Sequence, residues 1–254
     1  MEYLSQEFLY FFIVFMIPFI LIVILPFLIS YIKGEKDLKR AVNTYIKSLR
    51  KIQKTVLSNK LADHKLLRSK LSINYTIKIT EPPSTINAEI SLIERRTYVY
   101  YLYRLFKPLP DILIIRANLE APSPVVPVYI IPRHRKKLIN KLMPYLAELK
   151  EIRIKGLSEK AIIVSSEPRY AVQYFTQKTL TKISFLLPHL NFLFIDSAAP
   201  NIEINTSLQE KTCSSIFNIS FTLCLELLDR IAKSKKGGKE TDTLKYLRRV
   251  LLSL

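Results

Sequence analysis

The sequence calls for an α+β soluble domain behind a single N-terminal transmembrane helix. Three observations carry this: an uncharged run at residues 8–32, alternating apolar segments between residues 73 and 208, and helical periodicity in the stretches around them. Residues Phe8 to Ile32 cover 25 positions without one charged side chain. A helix needs roughly 20 apolar residues to cross about 30 Å of hydrocarbon, so the run is long enough to span. It does not read as a cleavable signal. Met1 to Glu7 carries Glu2 and Glu7 but no Lys or Arg, the apolar core exceeds the usual length, and Leu28-Ile29-Ser30-Tyr31-Ile32 holds no small-x-small pair. Pro18 and Pro26 predict kinks inside the span. Tyr10 and Tyr31 stand near its two ends, where such rings favour the headgroup layer.

Charge sets the expected orientation. The net charge is +18, distributed unevenly: residues 33–70 hold twelve basic side chains against three acidic ones, while residues 1–32 hold two acidic and none basic. Basic residues close to a span stay cytoplasmic, so the N-terminus is expected outside and residues 33–254 in the cytoplasm. Lys33, Lys36, Lys39 and Arg40 fall nearest the membrane surface and are its candidate lipid-facing cations. Three triplets, Asn74-Tyr75-Thr76, Asn205-Thr206-Ser207 and Asn218-Ile219-Ser220, match the glycosylation acceptor pattern. Two of them fall inside apparent secondary structure, so they weigh little against the charge bias.

After residues 1–7 and the span at 8–32, residues 33–71 read as a basic juxtamembrane helical stalk. Its apolar positions, Leu38, Val42, Tyr45, Leu49, Ile52 and Val56, step by 4, 3, 4, 3 and 4, the 3.5-residue period of a coiled-coil seam. The seam has three possible cover layers: a second copy, the chain's own domain, or lipid. Its regularity favours an upright helix with a protein partner or self-association through residues 38–57.

Residues 72–232 carry the α+β pattern. Ile73, Tyr75, Ile77 and Ile79 alternate with polar residues, Glu81 to Thr85 turns the chain, and Ile86, Ala88, Ile90 and Leu92 alternate again, the mark of a hairpin. The second run also suits helical spacing as far as Leu105. Asp111–Arg116 and Val125–Ile131 are short apolar runs of buried-strand type, joined by Ala121-Pro122-Ser123-Pro124. A helix is expected over Arg133–Leu149, strands at Ile152–Ile154 and Ala161–Ser165, and one helix from Pro168 to Pro188 with Val172, Phe175, Thr179, Ile183 and Leu186 on its inner face. Asn191–Asp196 and Ile202–Leu208 predict a second hairpin. A helix from Ile216 to about Ala232, apolar nearly all round, belongs in the core. Residues 233–242 form a linker, and 243–254 an amphipathic helix with Leu244, Leu247, Leu251 and Leu254 on one face.

Chemistry is sparse. The four glycines, Gly34, Gly156, Gly237 and Gly238, build neither a P-loop nor a dinucleotide fingerprint. His64, His134 and His189 stand alone, so no metal or other cofactor is expected. Cys213 and Cys224, eleven positions apart on one helix, lie about 16 Å from each other, too far for a disulfide, and read as buried thiols. Asp111, Glu167, Asp196 and Glu203 sit near strand ends but follow no catalytic spacing. Two basic constellations remain. Arg133, His134, Arg135, Lys136, Lys137 and Lys141 gather cations at a helix start, a candidate anion- or phosphate-binding cluster. Tyr98, Tyr100, Tyr101 and Tyr103 interleave with Arg95, Arg96, Arg104 and Lys107, a pattern that suits single-stranded nucleic acid, a membrane interface or a core. The expected function is a membrane-anchored binding or scaffolding module rather than an enzyme, with membrane lipids as partners. A nucleic-acid tether and a membrane-surface enzyme acting on lipid or peptide are the alternatives.

Overall fold

The computed structural model describes residues 2–57, 61–69, 71–97, 99–101, 109–120, 125–234 and 242–252. The chain divides into two compact units, residues 1–44 with 92–110, and residues 45–91 with 111–254.

The N-terminal helix is continuous but not uniform. Helix α1 (Glu2–Phe11) passes through a π-helical stretch at Phe12–Met16 into α2 (Ile17–Phe19). A second π stretch at Ile20–Ile24 leads into α3 (Leu25–Thr55). The widened turns have a cause in the sequence. A proline removes the hydrogen bond to the carbonyl four residues earlier and crowds it. Those carbonyls belong to Val14 for Pro18 and Ile22 for Pro26, and each lies in the middle of a π stretch. The expected kinks are therefore met by π bulges. This helix is long and apolar enough to cross a membrane, and the large apolar side chains described at 8–22, 24–25, 27–29 and 31–32 are exposed.

The second unit is built on a nine-stranded sheet in the order β1-β2-β3-β4-β9-β8-β5-β7-β6, with every neighbouring pair antiparallel. Its strands are β1 (Leu61–Arg68), β2 (Ser72–Ile79), β3 (Ser84–Ser91), β4 (Asp111–Leu119), β5 (Val128–Pro132), β6 (Lys150–Glu151), β7 (Ala161–Ser165), β8 (Leu190–Ile195) and β9 (Ile202–Leu208). In the second unit the described helices after α3 are α4 (Lys136–Leu146), α5 (Pro168–Ala171), α6 (Gln177–Leu186), α7 (Cys213–Ala232) and α8 (Asp242–Leu252). The α+β reading holds, and both expected hairpins form.

The register explains the core. Across four strands Ile77, Ile86, Ala117 and Ile202 stand opposite one another, as do Tyr75, Ala88, Ile115 and Ile204. This apolar face is covered by α7 and by residues 45–55 of α3 with the two residues that follow it. Tyr45 meets Phe217 edge-on, and Tyr75 meets Phe221 in the same way. The opposite face is covered by helices over β5, β7 and β8. There Tyr129, Ile131, Val164, Phe192 and Phe194 pack with Leu142 and Leu146 of α4 and Leu244, Leu247, Val250 and Leu251 of α8. Over β2 and β3 the same face exposes Asn74, Lys78 and Asn87.

Four expectations need correction. The basic stretch 33–71 is not one helix: α3 ends at Thr55, and Leu61–Arg68 pairs with β2 as an edge strand. Its exposed position leaves β1 without the regular apolar alternation by which a strand is recognised. The helix from Pro168 to Pro188 is interrupted. A 3-10 turn at Val172–Tyr174 ends the first piece, and Thr176 restarts it, its hydroxyl accepting from the Thr179 amide at 3.2 Å. Val172 is consequently exposed rather than on the inner face. Around Ile152, strand pairing is confined to Lys150–Glu151, although the Ile152 amide still donates to the Ile163 carbonyl. Finally, Ser84 and Thr85 belong to β3 rather than to the turn. The Ala121–Pro124 link, most of the 233–242 linker, and Tyr98, Tyr103, Arg104 and Lys107 lie outside the described residues.

Candidate functional site

Immediately after the apolar run, residues 92–97 and 99–101 dock on the first turns of the juxtamembrane helix, within the first unit. Gly34 makes this contact possible. A Cβ there would stand 1.9 Å from the Arg95 carbonyl oxygen and 2.7 Å from the Arg96 Cα, both backbone atoms that cannot swing aside. The Arg95 guanidinium, almost wholly buried, donates to the Asp37 carbonyl at 3.1 Å. Arg96 forms a two-pronged pair with Glu94, at 2.8 and 2.6 Å, and lies 6.0 Å from the Tyr31 ring centre. That guanidinium holds the Glu94 carboxyl down at about 2. Lys33 lies 5.4 Å from the ring centre of Tyr101, whose hydroxyl reaches Asp37 at 3.4 Å. Of the candidate lipid-facing cations, Lys39 pairs with Glu35 and Arg40 with Asp37, and all four of Lys33, Lys36, Lys39 and Arg40 are exposed.

The seam is occupied by its own chain. Leu38, Val42, Tyr45, Leu49 and Ile52 are buried and Val56 is half-buried. In the second unit Tyr45 donates to the Asp111 carboxylate at 2.5 Å, and Ser48 Oγ lies 3.4 Å from Cys213 Sγ. The expectation of a coiled-coil partner for residues 45–52 is thereby corrected: sheet and α7 cover that stripe. A 3.5-residue period describes any helix stripe against a flat apolar surface over so few turns. A shallow cleft of about 410 Å³ remains between the end of α3 and the start of α7, lined by Lys51, Ile52, Thr55, Val56, Ser214, Ser215 and Asn218.

The strand-to-helix cluster is only partly available to an anion. Arg133 donates to the Ser158 carbonyl at 3.0 Å and faces Glu151. Arg135, the residue before α4, turns back under the sheet to the Leu190 carbonyl and to Ser207 Oγ at 2.9 Å. Burial lowers its pKa, and burial with Arg135 nearby lowers that of His134. Lys136, Lys137 and Lys141 are exposed at the helix start.

The four carboxylates do not share a network. Asp111 receives Tyr45. Asp196 accepts from the Tyr129 hydroxyl at 2.7 Å and from the Ser197 amide, closing the β8–β9 turn. Glu203 binds Arg116 at 2.9 Å, and Arg116 also reaches Glu89 across β3. Burial raises the Glu203 pKa, opposed by Arg116. Glu167 precedes α5 without a side-chain cap bond. Among the described residues no group of His, Cys, Asp and Glu is arranged to hold a metal. Cys213 and Cys224 are free and buried, and burial pushes the Cys224 thiol up to about 12. Of the aromatic cluster, Tyr100 is buried and stacks edge-on with Tyr101. Sequence reasoning missed the Gly34–Arg95 contact and the Tyr45–Asp111 bond. A lone glycine in an otherwise regular helix was the available signal for the first, and nothing local marked the second.

No family model matches the sequence, and no curated protein matches it. Among solved structures the chain is similar to the crystal structure of the mycobacterial trehalose monomycolate transport factor A, TtfA, at 8% identity and a TM-score of 0.31. The likeness covers 70% of this chain and 76% of that one. At that level the transport role stays with the mycobacterial protein.

Proposed function

We propose that this protein is a single-pass, membrane-anchored binding module whose α+β domain works at the cytoplasmic face. The observation that carries the reading is the continuity of α3. One helix emerges from the apolar run and, from Tyr45 onward, supplies core residues to the sheet. An anchor that is also core is part of the fold rather than an appended tether. The orientation follows from the basic side chains of residues 33–54 after the span and their absence before it. The polar face of β2 and β3, with Asn74, Lys78 and Asn87 exposed, is the surface left for a protein partner.

Two experiments test this. In intact cells an impermeant maleimide should label Ser5→Cys and leave Lys155→Cys unmodified, because Lys155 is exposed on the domain and the native thiols are buried. Labelling of the Lys155 position from outside overturns the orientation. Photo-crosslinking side chains at Asn74 and Asn87 should give one adduct of constant mass, and none at Lys155. An equal smear at all three positions removes the binding face.

A further inference from the structure

The segment from Glu94 to Tyr101 has more to explain than a loop that closes on a helix. Its attachment point is set by Gly34, two residues past Ile32, and by the Asp37 carbonyl, five residues past it. At 1.5 Å per residue these contacts lie about 3 and 8 Å beyond the end of the apolar run. The headgroup layer on each side of the hydrocarbon core is of that thickness, about 5–8 Å. The segment is therefore tied down at headgroup level by backbone and buried-arginine contacts.

Its chemistry suits that layer. Tyr31 and Tyr101 each carry a cation near the ring, Arg96 and Lys33 respectively. Aromatic rings with a wet edge favour membrane interfaces, and long basic side chains reach headgroup phosphates while their stems stay on apolar surface. Val99 is 56% exposed in the short helical turn Val99–Tyr101, an apolar side chain presented beside the anchor. The charge balance is positive: Lys33, Lys36, Lys39, Arg40, Arg95 and Arg96 stand against Glu35, Asp37 and Glu94. The acidic three are each paired inside the cluster and Arg95 donates to the Asp37 carbonyl, which leaves the exposed Lys33 and Lys36 as the surplus cations.

We propose that residues 94–97 and 99–101 are a second membrane-contacting element which, with Tyr31, Lys33 and Lys36, forms a binding site for the headgroups of anionic phospholipids. The site depends on the span but not on which side of the membrane the domain lies. Gly34 is then the residue that lets a loop distant in sequence reach the bilayer surface. A loop that merely capped α3 would need no exposed valine and no surplus of cations.

The chain contains no tryptophan, so Val99→Trp places a single indole in the segment. The full chain is reconstituted into liposomes of phosphatidylcholine with phosphatidylglycerol, either lipid carrying bromine near the top of its acyl chains. The expected result is a blue-shifted emission quenched by bromolipid and shielded from aqueous iodide. Brominated phosphatidylglycerol should quench about thirtyfold more effectively than brominated phosphatidylcholine, the preference that the two surplus cations confer together. Lys33→Gln with Lys36→Gln should bring the two lipids level while leaving the depth unchanged. Iodide quenching without bromolipid quenching overturns the membrane contact, and equal quenching by both lipids in the unsubstituted background overturns the headgroup site. A nitroxide on Val99→Cys gives the same depth independently of the indole, since relaxation by oxygen rather than by a nickel chelate marks a lipid contact.

Discussion

Tyr45 and Asp111 show what a single buried contact does here. The two are 66 residues apart, and the phenol donates to a carboxylate that is 1% exposed. A buried acceptor that loses a donor bears much of its desolvation penalty, about 1–3 kcal/mol. Tyr45→Phe should lower the stability of the protein by about that amount in denaturant titration. Glu203 provides a pH signature. Burial raises its pKa despite Arg116, so the folded state holds the proton more tightly than the unfolded chain does. The associated stability is fully present below the unfolded value of about 4.3 and is lost as pH rises through the folded value. Glu203→Gln keeps the shape and removes the titration. Relative to this variant, the wild type should lose stability as pH climbs out of the acid range, as read by unfolding at a series of pH values. An unchanging difference would mean that Glu203 titrates normally.

At the scale of elements, the helix α3 was anticipated from its 4-3 spacing, while its own domain was one of three covers left open for the stripe. Periodicity reports that a stripe is buried and is silent on what buries it. Leu49 is 1% exposed. Leu49→Ala should therefore cost about 2–5 kcal/mol, the usual range for a truncated core leucine, with no change in the association state by cross-linking. The edge strand β1 was read as helix because its residues follow a basic helical run and both its faces carry exposed polar side chains, His64 and Arg68 on one and Lys65 on the other, in place of apolar alternation. Strands with one buried face, β2, β3 and β4, were legible because their period-2 pattern is imposed by the sheet itself. The break between α5 and α6 turned on the Thr176 cap, a local signal that the run of apolar residues at helical spacing concealed.

For the whole molecule, the membrane reading stands on residues 8–32, and Leu21→Arg with Ile22→Arg tests it. Each arginine at mid-span costs about 2.5–3.5 kcal/mol of insertion free energy. The wild-type chain should resist alkaline carbonate extraction from membranes, and the double variant should be released. The sequence by itself determined the apolar run, its basic flank, both hairpins, a central helix from Ile216 to about Ala232 and an amphipathic helix over 243–254. Each of these is a local property: the length of an uncharged stretch, or a repeat of two or of 3.6 residues that burial enforces on neighbouring positions. Only the tertiary structure decided that the sheet has nine strands, that its own α7 and sheet occupy the Tyr45–Ile52 stripe, that two of the basic cluster's arginines are consumed by internal acceptors, and that Arg95 returns to Gly34. Those arrangements join residues 18 to 165 positions apart. Contacts at such separation depend on which surfaces meet once the chain has collapsed, and no repeat along the sequence encodes them.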